Sequence, residues 1–139
     1  MTIDTEAKAI EFLTAARLEF FRTGSREICD PAPTDTDVDF VVFAHGFHVV
    51  RRIAQAGFTN TSAPHADTYG GSGPFETFRC GEVNLIVTNS DSFYDAWRGA
   101  TTIAKRLNLL NKDERIALFQ GILYCNWNDW LVLNHTQEF

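Results

Sequence analysis

The order of apolar and polar positions along the 139 residues separates the chain into recognisable elements. From Asp4 onward Ala7, Ile10, Leu13 and Ala16 recur at helical spacing, with Lys8, Glu11 and Arg17 elsewhere on the wheel, which predicts an amphipathic first helix. The next residues, LEFFRT, either extend that helix or form a short strand. Phe20 and Phe21 favour the strand, periodicity does not decide, and Gly24 ends either element. Pro31 and Pro33 exclude regular structure from DPAPTDT. The run DVDFVVFA, Asp37 to Ala44, is apolar enough to be a central strand. A helix over about Gly46 to Ala56 is expected to present Phe47, Val50, Ile53 and Ala54 as its core face.

Thr59 to Pro74 is rich in Gly, Ser, Thr and Pro and reads as a long loop, of the kind that often serves as a lid or binding loop. FETFRCGEVNLIVT then predicts a hairpin, with strands Phe75 to Cys80 and Glu82 to Thr88 turning at Gly81. Residues Ser90 to Leu109 predict a helix capped by Ser90 or Asn89, its core face at Phe93, Trp97, Ala100, Ala104 and Leu107. A last helix runs from about Lys112 to Tyr124, and NWNDWLVLNHTQEF beyond it is ambiguous. This order predicts one mixed α/β (α+β) domain, a partly antiparallel sheet flanked by helices.

Composition narrows the function classes. At 45% hydrophobic and 22% charged the chain belongs with globular proteins, and no window approaches the apolar length of a membrane span. MTIDTEAKAI has neither the basic start nor the apolar core of a signal peptide, so an intracellular, cytoplasmic protein is expected. Cys29, Cys80 and Cys125 are odd in number and far apart, which fits neither a disulfide framework nor a zinc site. A formal charge of −6 argues against an extended nucleic-acid surface. It does not argue against a small nucleotide whose charge is carried by metal ions.

The acids at the head of the central strand need an explanation, because aspartate is depleted in strands. A Gly-Ser pair, a connector of about a dozen residues, and then acid, apolar, acid, apolar opening a strand resembles the signature of the nucleotidyltransferase superfamily, whose fold is shared with DNA polymerase beta. The residues are Gly24 and Ser25, then TDVDF from Thr36 to Phe40; Arg26 completes the GSR of the small, minimal nucleotidyltransferases. The resemblance implies a nucleotidyltransferase-like fold, strand acids Asp37 and Asp39 holding divalent metal (Mg2+ or Mn2+), and Gly24, Ser25 and Arg26 near the phosphates of an NTP.

Elementary chemistry agrees with that spacing. Residues two apart on a strand share a face, so Asp37 and Asp39 can share a magnesium at about 2.0–2.1 Å per oxygen. Glycine ahead of Ser25 permits close approach and positive φ. Two positions depart from the pattern: Thr23 stands where an apolar residue is usual, and the neighbouring strand EVNLIV carries Asn84 where the family has a third carboxylate. An amide can coordinate a metal through its carbonyl but cannot take a proton as a carboxylate does, so either Glu82, two residues earlier on the same face, substitutes or the site is weakened or silent.

Lys105, with Arg106, could reach a triphosphate from its helix, and Arg79 lies on the hairpin beside the acid face; a solvated surface is the competing reading for each. His45 and His48 lack the partners of a metal site. YGGSGP is no P-loop, lacking the Lys-Ser/Thr ending, and reads as a flap over the site. Trp127 and Trp130 suit either core packing or a partner surface. Two function classes follow: an enzyme moving an NMP from an NTP to a protein, small-molecule or RNA-end acceptor, or a silent protein of the same fold that acts on a protein partner as an inhibitor or antitoxin would.

Overall fold

The computed structural model describes residues 2–61 and 74–123. Helix α1 (Glu6–Ala15), whose N-cap Thr5 accepts from the Lys8 amide, leads into strand β1 (Glu19–Thr23). The LEFFRT alternative therefore resolves as a strand: the helix ends by Arg17, whose φ is +58°. One turn of helix, α2 (Ser25–Ile28), follows Gly24 and precedes strand β2 (Val38–Phe43). Helix α3 (Phe47–Gln55), the two-residue strand β3 (Thr59–Asn60), the hairpin β4 (Phe75–Cys80) and β5 (Val83–Thr88), and helix α4 (Asp91–Leu107) come next. Residues 112–123 are helical (α5), and the Asn111 side chain caps them by accepting from the Glu114 amide at 3.1 Å.

The five strands lie in the order β1-β2-β5-β4-β3, with β2 and β5 parallel and every other pair antiparallel. This is the mixed, partly antiparallel sheet flanked by helices that the element order predicts, consistent with a nucleotidyltransferase-like arrangement. Alternation along β2 divides the core in two. Val38, Phe40 and Val42 pack with Ala9 and Leu13 of α1 and Val49 and Ile53 of α3, while Val41 and Phe43 pack with Ile28, Trp97, Phe119 and Leu123. Asp37 and Asp39 share the parity of Val41 and Phe43, so the sheet delivers them to the face covered by α2, α4 and α5.

Three expectations require correction. Phe47 is 76% exposed and Ala54 is exposed, because α3 is phased on Val49 and Ile53; Phe47 lies about 200° of helical rotation before Val49. Leu107 is 62% exposed. Ten residues beyond Trp97, it is turned about 80° off the buried stripe. Helix α4 also ends short of Leu109, because Asn108 takes a left-handed φ of 47° and exchanges two hydrogen bonds with the Asp30 backbone, at 2.9 and 3.1 Å. The loop from Thr59 lies largely outside the described residues, although its first two residues form β3 against Arg79 and Phe78. Cys125, Trp127 and Trp130 also lie outside them. Among the described residues no helix is long and apolar enough to cross a membrane.

Candidate active-site cleft

A single row of paired residues crosses the sheet where the site lies: Thr23 of β1 opposite Asp39 of β2, Asn84 of β5 opposite Asp39, and Arg79 of β4 opposite Asn84. Asn84 Nδ2 donates to Asp39 Oδ1 at 2.9 Å. Arg79 Nη2 donates to Asp37 Oδ1, just ahead of β2, and its Nε donates to the Gly81 carbonyl at 3.3 Å. The strand carrying Asn84 is thus the parallel neighbour of the acid strand, and its amide occupies the position beside Asp39.

Gly24 closes this row from the other side. Its φ of +78° and ψ of −175° belong to a region that glycine alone occupies readily. A Cβ there would stand 2.9 Å from Asp39 Cγ and nearer still to Oδ2. The missing side chain leaves room for the carboxylate. Ser25 Oγ donates to Thr36 Oγ1 at 3.3 Å, tying the Gly-Ser turn to the segment that leads into β2. Thr23 proves structural: buried, its hydroxyl accepts from Trp97 Nε1 at 3.1 Å and bonds Thr101 Oγ1 at 2.8 Å, which fixes the end of β1 to α4.

These groups line a cleft of 540 Å³ whose apolar wall is formed by Ile28, Ile86, Trp97, Ile116 and Phe119. Asp35, Asp37 and Asp39 face it, and so do three cations, Arg79, Lys112 and Arg115. Arg115 is held by the Leu109 and Leu110 carbonyls at 2.9 and 2.8 Å. Lys112 and Arg115 were invisible as site residues in the sequence; they lie more than 70 positions after Asp39 and reach it only because α5 packs on the same face.

The remaining candidates separate. Gly24, Ser25, Asp37, Asp39 and Asn84 come together in the cleft. Glu82 precedes β5 and does not line it; its Oε2 accepts from Arg26 Nη2 at 3.4 Å, and Arg26 also donates to the Thr34 carbonyl at 3.0 Å. Lys105 lies outside the cleft, paired with Glu27 at 3.0 Å. His45 is exposed with its ring against Phe43, and among the described residues no group of three or more His, Cys, Asp or Glu side chains is placed to hold a metal.

Burial drives the Asp39 carboxyl from 3.8 up to about 6; Asp37 adds to the rise, and the Asn84 hydrogen bond, Arg79 and Arg26 oppose it. A raised carboxyl pKa means that the folded state holds the proton more tightly than the unfolded one. Its stability contribution is complete below 3.8 and is lost as pH rises through about 6, by at most about 3 kcal/mol. Melting temperatures of the parent and Asp39→Asn should therefore converge near pH 4 and separate as pH rises to 7, with the variant the more stable. Parallel profiles would contradict a desolvated Asp39.

No family model matches the chain, and no curated protein matches it. Among solved structures it is similar to conserved protein GrpB from Enterococcus faecalis, with a TM-score of 0.43 and 13% identity over 91% of this chain and 90% of that one. The class of the chain therefore rests on its own fold and residues: a mixed α/β domain with a cleft, lined by three aspartates and three cations, at the head of its central parallel strand pair.

Proposed function

We propose that the cleft binds a nucleoside triphosphate together with Mg2+ or Mn2+, and that the protein transfers the nucleoside monophosphate to a protein, small-molecule or RNA-end acceptor. The observation that carries this reading is the joint placement of Asp37 and Asp39 against the Gly24-Ser25 turn. The donor set suits a hard divalent cation. Asp37 and Asp39 supply carboxylate oxygens, the Asn84 amide can turn its oxygen toward an ion held there, and the desolvated Asp39 forms no ion pair among the described residues. Such an ion, when bound, supplies charge neutralisation of the phosphates and polarisation of the acceptor oxygen.

The chain's own residues do the rest. Ser25 and the open backbone at Gly24 contact phosphate oxygens, as a glycine turn permits. Lys112 and Arg115 bring positive charge from across the cleft, and Ile28, Ile86 and Phe119 offer an apolar wall for a base. Arg79 takes part by its hold on Asp37: a phosphate that attracts its guanidinium would free the carboxylate.

A second reading has its own support, because Asn84 cannot take a proton from an acceptor and Glu82 is engaged by Arg26 outside the cleft. Under it the protein binds nucleotide and acts through a partner. Transfer from radiolabelled NTP decides between the two. Asn84→Asp should raise transfer at least tenfold and, with two carboxylates in contact, lower the melting temperature in EDTA but not in magnesium. Glu82→Gln should leave transfer unchanged. Loss of transfer in Glu82→Gln would instead make Glu82 the substitute base, and an absence of transfer in parent and Asn84→Asp alike would establish the silent protein.

A further inference from the structure

A second groove, of 460 Å³, opens between β1, α2 and α4, and none of its lining residues is shared with the cleft. Its walls carry Arg22, Arg98, Lys105 and Arg106 against a single carboxylate, Glu27, in a chain of formal charge −6. Glu27 meets Lys105 at 3.0 Å and Arg22 at 3.9 Å, and Arg22 also pairs with Glu6 at 3.1 Å. Among the described residues, neither Arg98 nor Arg106 has an acidic partner.

On α4 the cations form a stripe, Lys105 and Arg106 standing seven and eight residues after Arg98. Lys105 and Arg106 lie in the last turn, where the helix dipole alone accounts for positive charge. Arg98 lies mid-helix, where the dipole offers nothing. Its guanidinium carbon instead lies over the Tyr94 ring, 4.8 Å from the centroid, and over that of Phe21 at 5.3 Å, and its Nη2 donates to Tyr94 Oη at 3.1 Å. These contacts hold the guanidinium in place, and its remaining N–H groups belong to a planar fork able to receive two oxygens of one phosphoryl group.

We propose that this groove binds a small phosphate-bearing anion, gripped bidentately by Arg98 with Lys105 and Arg106 supplying the remaining charge. A lining with four cations and one acid matches a ligand carrying two or more negative charges. The overall negative charge opposes a long polyanion, and the groove's size favours a short one. The site does not depend on how the cleft is read.

The test is a titration of the full chain with inorganic pyrophosphate in EDTA, followed by amide chemical shifts. Saturable shifts are expected at Arg98, Thr102, Lys105 and Arg106, with R98Q and R106Q each weakening binding about tenfold. Arg106 is exposed and forms no ion pair among the described residues, so R106Q reports on the ligand and not on folding. Shifts that fail to saturate, that chloride at matched ionic strength reproduces, or that keep their affinity in either variant would overturn the proposal.

Discussion

Asp39→Asn is expected to weaken magnesium-dependent NTP binding at least a hundredfold while raising the melting temperature at pH 7.5. The two effects have one cause. The Asp39 carboxylate is partly buried beside Gly24 with an amide as its hydrogen-bond partner, so its charge is costly without a cation and is what a cation would seek. The amide isostere removes both the cost and the ligand. A hundredfold loss corresponds to about 2.7 kcal/mol of binding. Asp37→Ala should weaken NTP binding comparably but change stability by less than about 1 kcal/mol, because its pair with Arg79 is 40–44% exposed and such pairs contribute little. Calorimetry in magnesium and in EDTA reads the affinity, and unchanged affinity in both variants would remove these acids from the site.

Gly24→Ala should cost about 2–4 kcal/mol of stability. Two costs add. The backbone at φ +78° and ψ −175° is closed to residues with a Cβ, and the new methyl would collide with Asp39 Oδ2 and Cγ. Gly57 provides the comparison: its φ is +104° but nothing lies within 4 Å of an added Cβ, so Gly57→Ala carries the backbone cost alone. The collision also predicts coupling. In an Asp39→Ala background the two nearest atoms, Oδ2 and Cγ, are gone and the Cβ stands at 3.1 Å from the methyl, so Gly24→Ala should cost at least about 1 kcal/mol less there. Denaturant unfolding of the four proteins measures the cycle. Equal costs at Gly24 and Gly57, with no coupling to Asp39, would mean that the Gly-Ser turn does not pack on the acid strand.

The parts of this protein legible in its sequence are those set by local periodicity and local chemistry. The β2 alternation declared a strand with two useful faces, because side-chain direction along a strand has period two whatever surrounds it. The Ser90 cap, the turn at Gly81 and the Gly24-Ser25 pair before the acids were legible for the same reason, since each satisfies its requirement within a few residues. What tertiary structure decided is which surfaces meet. The phase of α3 on Val49 and Ile53 depends on the sheet beneath it, and so leaves Phe47 outside. The register that places Asn84 beside Asp39 is a property of two strands 45 residues apart, and the pairing of Arg79 with Asp37 needs a third. Glu82 and Lys105, both plausible from spacing, were drawn to Arg26 and Glu27, because a charged side chain goes to the nearest opposite charge that packing provides. Arg115 came to the cleft through carbonyls at Leu109 and Leu110 and the burial of Phe119. No periodicity marks such a residue, since its place is set by how one helix sits on a sheet formed much earlier in the chain.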